Sequence, residues 1–222
     1  MRTVKTELKI YSFDELKDPA RQKAIDGVIH FNRETWDHDP VLEGFYEKTN
    51  KLRLQGVEFY YTLNYSQGDG ACMDFSLDTG ISIADTFIDF CKEIDYEIPS
   101  EILNGLNKQY IFIKIETIKN YYATHYCHEN TRDFDIIGTT PQNITDSELE
   151  QITDNYGDFI KSFEEKLRVW YNSFCKELYN TLDKDYMYQT SEKTAVENIR
   201  ESELEFLEDG TVFYPDEHNI VE

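Results

Sequence analysis

Between residues 149 and 178 apolar side chains recur at steps of three and four: Leu149, Ile152, Tyr156, Phe159, Phe163, Leu167, Trp170, Phe174 and Leu178. That spacing keeps one face of an α-helix apolar for about eight turns, where a typical helix has about three. A stripe of that length must be covered, and it reads as core rather than as an exposed partner surface. The preceding residues supply the covering layer. VEFYYTLNY (57–65) and ACMDFSL (71–77) are β-branched and aromatic, and QYIFIKIETI (109–118) is the clearest strand of the chain. YYATHYC (121–127) and DFDII (133–137) read as its continuation in a meander.

Helix signals lie between and before these strands. Ser12 and Glu15 have capping-box spacing after an alternating segment, 3–11, that reads as a strand. Asp18-Pro19 and Asp39-Pro40 each open a helix, with Asp as the cap and Pro at the first helical position. Ser82 and Asp85 repeat the capping-box spacing ahead of a helix over 82–95, and another helix is expected over 100–108. A short helix from Ser191 and a hairpin, LEFL–EDG–TVFY, close the chain, with Asp209-Gly210 as the tight-turn pair. The expected fold is therefore α+β: an antiparallel sheet of meander and hairpins packed with helices, one of them long, amphipathic and C-terminal. One domain should span 1–222, with an internal boundary at 138–145 where GTTPQN separates a mixed core from the helical part.

The net charge of −22 constrains partners more than fold. Residues 1–55 hold 10 acids and 10 bases, whereas residues 56–222 hold 34 acids and 12 bases. Such a field repels nucleic acid and anionic membranes and favours basic surfaces. If a basic partner binds, its face should lie in the later part, with the N-terminal helices as scaffold. Aromatic residues at 14% argue against disorder despite a mean hydropathy of −0.63. Cys72, Cys91, Cys127 and Cys175 are widely spaced without a CxxC pair, which suits reduced thiols in a cytoplasmic setting. No apolar run is long enough to span a bilayer.

Tyr65-Ser66-Gln67-Gly68-Asp69-Gly70 is the densest local motif. Its two glycines suit positive φ and a sharp turn, or a close approach of ligand to backbone, with Ser66, Gln67 and Asp69 as polar contacts. It lacks the GxxxxGK[ST] pattern of a phosphate-cradling loop. Trp36 sits in WDHD between two helices, as core or rim aromatic, and joins residues 65–70 as a candidate binding residue. His125, Cys127 and His128 lack the paired spacing of a zinc site, and neither GxSxG nor HExxH is present. The residues therefore nominate no catalytic group, metal ligand or cofactor.

YSFDELKDPARQKAI from Tyr11, then Trp36-Asp37, then SQGDGAC from Ser66, and finally SEKTAVENIRESELEFLEDGTVF from Ser191 resemble, in that order, a family of small acidic bacteriophage and prophage proteins. Some of these carry a label as antitoxin-like proteins of toxin–antitoxin stability systems. Tyr65 stands where that pattern usually has Trp. The resemblance implies an accessory protein, cytoplasmic in an infected bacterial host. It would bind and inhibit a host protein or nucleoprotein defence complex through an acidic surface, as a nucleic-acid mimic or antitoxin-like factor. A small-ligand or signal-nucleotide binder using the SQGDG loop is the alternative, and an enzyme of unknown type a third.

Overall fold

A computed structural model describes residues 8–64, 66–79, 84–140 and 145–215. In chain order its elements are β1 (Tyr11–Ser12), α1 (Asp18–Glu34), α2 (Asp39–Lys51), β2 (Gln55–Thr62), β3 (Gly70–Asp78), α3 (Ala84–Glu93), α4 (Ser100–Asn107), β4 (Phe112–Lys119), β5 (Arg132–Thr139), α5 (Asp146–Gln189), α6 (Glu192–Glu201) and β6 (Glu205–Phe206). The α+β class follows directly. The chain divides into two compact units: a central one, Asp39–Leu182, and a terminal one made of Met1–His38 and Asp183–Glu222. The segment 138–145 falls inside the central unit. There Gly138 belongs to β5, and Tyr156 occupies the space a Cβ would need, so this glycine serves packing rather than a linker.

In the terminal unit α1 and α6 face each other across Phe13, Leu16, Ala20, Ala24, Ile25, Val28, Ala195, Ile199 and Phe206, all buried. Ser12 N–H donates to the Glu15 carboxylate at 2.8 Å, the backward half of the expected capping box, and the turn it starts is a single 3-10 turn. The strand expected over 3–11 is reduced, among the described residues, to Tyr11–Ser12 paired with β6. The closing hairpin is present: Gly210 N–H donates to Leu207 O, and Leu207 N–H to Thr211 O.

The central unit holds an antiparallel sheet in the order β2-β3-β4-β5. Alternation puts Ile113 and Ile115 of β4 and Phe134 of β5 in the core. Aromatic rings join sheet to helices: Phe75 packs on Phe90 of α3 and on Trp170 and Tyr171 of α5, and Phe59 and Phe174 pack on Phe45 of α2. The long stripe is core, as its period implies. Within this unit α5 buries Phe159, Phe163, Leu167, Phe174 and Leu178, and adds Tyr171, Cys175 and Leu182 at the same pitch. The side chains of Leu149 and Ile152 lie outside the described residues, as does Ser82.

Two expectations change. Residues 121–127 form no strand. Lys119 and Arg132 are cross-strand partners, so the twelve residues between them leave the sheet as a loop. Asn120 starts that loop by accepting Tyr122 N–H at 3.0 Å and by donating its own backbone N–H to Thr131 O. The charge asymmetry along the chain also fails to become an asymmetry between units. The neutral first 38 residues share a unit with residues 183–222, which hold 12 acids and 3 bases. The terminal unit thus carries a net −9 and the central unit, with 25 acids and 12 bases, a net −13.

Candidate binding site

β4 pairs with β3 only from Ser76 to Asp78. The first half of β3 therefore has one edge without a strand partner, and its backbone groups need other partners. Side chains supply them. Thr117 Oγ1 accepts Phe75 N–H at 2.9 Å and donates to Phe75 O. Tyr171 Oη, from the buried face of α5, accepts Met73 N–H at 3.0 Å and donates to Met73 O at 2.8 Å. Beyond Met73 the loop 120–131 takes over. Cys127 N–H donates to Gly68 O at 3.3 Å, and the two Sγ atoms of Cys72 and Cys127 lie 3.8 Å apart.

This loop explains both glycines of the SQGDG motif, and not by positive φ: among the described glycines only Gly56 and Gly210 have it. A Cβ on Gly68 would collide with the Tyr126 ring, and one on Gly70 would lie 2.6 Å from His128 Cβ and 3.0 Å from Cys127 O. The requirement is close approach of two loops. Asp69 is accounted for locally: its carboxylate accepts Ser66 N–H and Ser66 Oγ–H at 3.1 and 2.9 Å, while Asp69 N–H returns to Ser66 O. Ser66 and Asp69 thus fix the turn, and Gln67 at its tip is exposed. Tyr65 lies outside the described residues.

A buried cation anchors the 120–131 loop from below. The Arg132 side chain is 4% exposed and donates to Asp74, to Thr131 O and to Thr131 Oγ1. Its guanidinium lies over the Tyr60 ring at 5.1 Å, with Lys119 also over that ring. A buried guanidinium needs such pairing, so the ion pair fixes where β5 begins. Glu58, accepting the Tyr60 hydroxyl, pushes that phenol's pKa up. Thr131 in turn donates N–H and Oγ–H to His128 O at 2.9 and 2.7 Å. His128 Nδ1 accepts Asn130 N–H, which assigns the ring proton of the neutral form to Nε2. The Tyr126 ring stacks on the His128 ring at 5.9 Å and 27°.

Two clefts flank Tyr126. One, about 300 Å³, is lined by Thr62, Asn64, Ser66, Asp69, His125 and Cys127, with Gly68 at its wall. The other, about 350 Å³, is lined by Gln67, Asn120, Tyr122, Tyr126, His128 and Asn130. The second combines three aromatic rings with three side-chain amides, and no Lys, Arg, Asp or Glu lines it. Tyr121, Tyr122 and Tyr126 are exposed at 78%, 57% and 43%, which a tyrosine retained only for packing would not be.

Of the candidate binding residues, Ser66, Gln67, Gly68 and Asp69 line these clefts, whereas Gly70 is buried beneath them against His128. Trp36 lies in another part of the chain. It belongs to the terminal unit, where its Nε1–H donates to Asp185 at 2.7 Å and its ring meets Tyr186 edge-on. The sequence reading missed Tyr122, Tyr126, His128, Asn120 and Asn130, having placed 121–127 on a strand. The available signal was Asn120, a residue that caps turns and is depleted from strands. A larger cavity, about 820 Å³, lies in the terminal unit and is lined by α1 residues, among them Val28 and Phe31, and by Leu204, Val212 and Tyr214.

Residues 34–192 match the model of a family described as a domain of unknown function, DUF8835. The chain belongs to that family. The DUF8835 segment contains β2 to β5, the SQGDG loop and the whole 120–131 loop, so both clefts at Tyr126 fall inside it. Every residue lining the 820 Å³ cavity falls outside it. No curated protein and no solved structure matches the chain.

Proposed function

We propose that this DUF8835 protein binds a small ligand carrying a planar, uncharged ring, of the nucleobase or nucleoside class, at the clefts beside Tyr126. The observation that supports this reading is the composition of the second cleft: Tyr122, Tyr126 and His128 offer ring faces, and Gln67, Asn120 and Asn130 offer amides. Stacking and amide hydrogen bonding are how proteins recognise an unstacked base. Asn120 is already committed, through Oδ1 to Tyr122 N–H and through Nδ2 to Asn130 O at 2.8 Å. Gln67 has its amide unengaged among the described residues and is the group placed to read a ring edge. Among the described residues no Lys or Arg lines either cleft, which favours a base or nucleoside over a polyphosphate. Thermal denaturation against a panel of nucleobases, nucleosides and nucleotides tests this, because a ligand of the folded state raises the melting temperature by mass action. A nucleoside should raise it and Tyr126→Ala should abolish the rise. A panel without effect, or a rise that survives Tyr126→Ala, would refute the reading.

The second reading, an accessory protein that inhibits a host protein or nucleoprotein complex by presenting an acidic surface, has the net charge of −22 in its favour. The bacteriophage resemblance supplies its context. It requires capture of a basic partner from a bacterial lysate that is strong at low salt and lost at high salt. Capture indifferent to salt contradicts it.

A further inference from the structure

The four cysteines divide into two pairs by environment. Cys91 and Cys175 are buried, and burial pushes their thiol pKa values up, away from reactivity. Cys72 and Cys127 lie side by side with Sγ atoms 3.8 Å apart, although 55 residues separate them in sequence. Cys72 is buried on β3, while Cys127 is half-buried and lines the smaller cleft. The contact with Cys127, with Thr131 and Arg132 nearby, lowers the Cys72 pKa to about 7, and the same contact raises that of Cys127. The pair thus gives up one proton near neutrality and holds the second between two sulfurs.

We infer that Cys72 and Cys127 are a reversible dithiol that closes to an intramolecular disulfide when the protein meets a hydroperoxide. Closure requires the sulfurs to move together by about 1.8 Å, to the bonded distance of about 2.05 Å. Only the 120–131 loop has to give, because Cys72 is fixed in a paired strand while Cys127 is carried by a loop held through Gly68 O. Cys127 receives the oxidant, since it is the half-buried member of the pair and lines the cleft, whereas Cys72 is buried. The shared proton first passes from Cys127 to Cys72 across the 3.8 Å contact, and the Cys127 thiolate attacks one peroxide oxygen: an S–O bond forms, the O–O bond breaks, and the departing hydroxide takes up a solvent proton as water. Cys72 sulfur then attacks the Cys127 sulfenic acid: the S–S bond forms, the S–OH bond breaks, and the thiol proton leaves with hydroxide as a second water. Two electrons pass from the sulfur pair to the peroxide. The inference stands apart from the ligand reading, since it requires no occupant in either cleft.

The reduced, full-length chain is exposed to hydrogen peroxide in a few-fold molar excess, alkylated under denaturing conditions and mapped by peptide mass. Two of its four thiols should resist alkylation, one cross-linked peptide should hold Cys72 and Cys127, and dithiothreitol should restore all four. Cys91→Ser should cross-link as the native chain does, and Cys127→Ser should not. If Cys127→Ser fails to fold, the native chain's peptide map still decides. Four thiols that stay alkylatable, Cys127 over-oxidised with Cys72 left reduced, or a cross-link through Cys91, Cys175 or a second molecule would each overturn the assignment.

Discussion

Asp69-Gly70 and Asp209-Gly210 are the same dipeptide in two hairpin connections, and they are built for different reasons. Gly210 sits at φ +85, and a Cβ there would strike the carbonyl of Ala20 on α1. Its Asp209 accepts from Lys23 Nζ at 2.6 Å and from Thr211 N–H at 3.0 Å, so every part of that turn serves the hairpin and its seat. Gly70 has ordinary backbone geometry and is glycine only because His128 and Cys127 of another loop press against it. The first turn needs glycine for itself. The second needs it for what lies above it, and what lies above it is a row of exposed tyrosines, amides and a histidine. A turn whose glycine serves a neighbouring loop is where a site is to be sought.

Substitutions sharpen that contrast. Gly210→Ala combines strained backbone with a clash against main chain, and should cost about 2–4 kcal/mol in urea denaturation. A loss under about 1 kcal/mol would mean that the hairpin is not seated on α1 as described. Gly70→Ala meets the Cα and Cβ of His128 and the carbonyl of Cys127, on a loop that can shift, so about 1–3 kcal/mol is expected. The nearest atoms that Gly68→Ala would meet all belong to the Tyr126 ring, an exposed side chain on a loop. The substitution should change stability by less than about 1 kcal/mol yet remove the ligand-induced rise in melting temperature. If it destabilises as much as Gly210→Ala does, the SQGDG loop is a structural turn like the other. The smallest effect is on acid sensitivity. Lys23 and Thr211 lower the Asp209 pKa to about 2, below the roughly 3.9 of an unfolded chain. A depressed folded-state pKa stabilises above the unfolded value and loses that contribution as pH falls through the folded one. Asp209→Asn should therefore lower stability slightly at neutral pH, flatten the profile between about pH 4 and pH 2 and match the native chain below that, as read by chemical denaturation.

Sequence carried the parts of this fold that depend on local period. The 149–178 stripe told the buried face of α5, although the helix runs on to Gln189 and Tyr171, one residue after Trp170, proved to be the deeper of the two and the one that seals β3. The closing hairpin and the strands at 57–65, 71–77 and 109–118 were equally legible. YYATHYC was not, because β-propensity measures fitness for a half-buried pleated surface, and tyrosines chosen to face solvent beside a cleft score the same way. Gly68 and Gly70 stand out in sequence, but sequence shows only that a residue lacks a Cβ, not whether backbone strain or a neighbour forbids one. The Cys72–Cys127 contact left no local trace, since it depends on how a twelve-residue excursion from the sheet folds back over β3.

The proposed ligand site is formed by the loops 66–70 and 120–131 together. Its most direct test is a nucleoside titration of isotopically labelled protein followed by NMR. The resonances of Gln67, Tyr122, Tyr126 and His128 should shift together with one saturation curve, while those of Phe31 and Val212 stay still. Shifts confined to Phe31, Val212 and Tyr214 of the terminal-unit cavity, or no saturable shift at any of these positions, would contradict it.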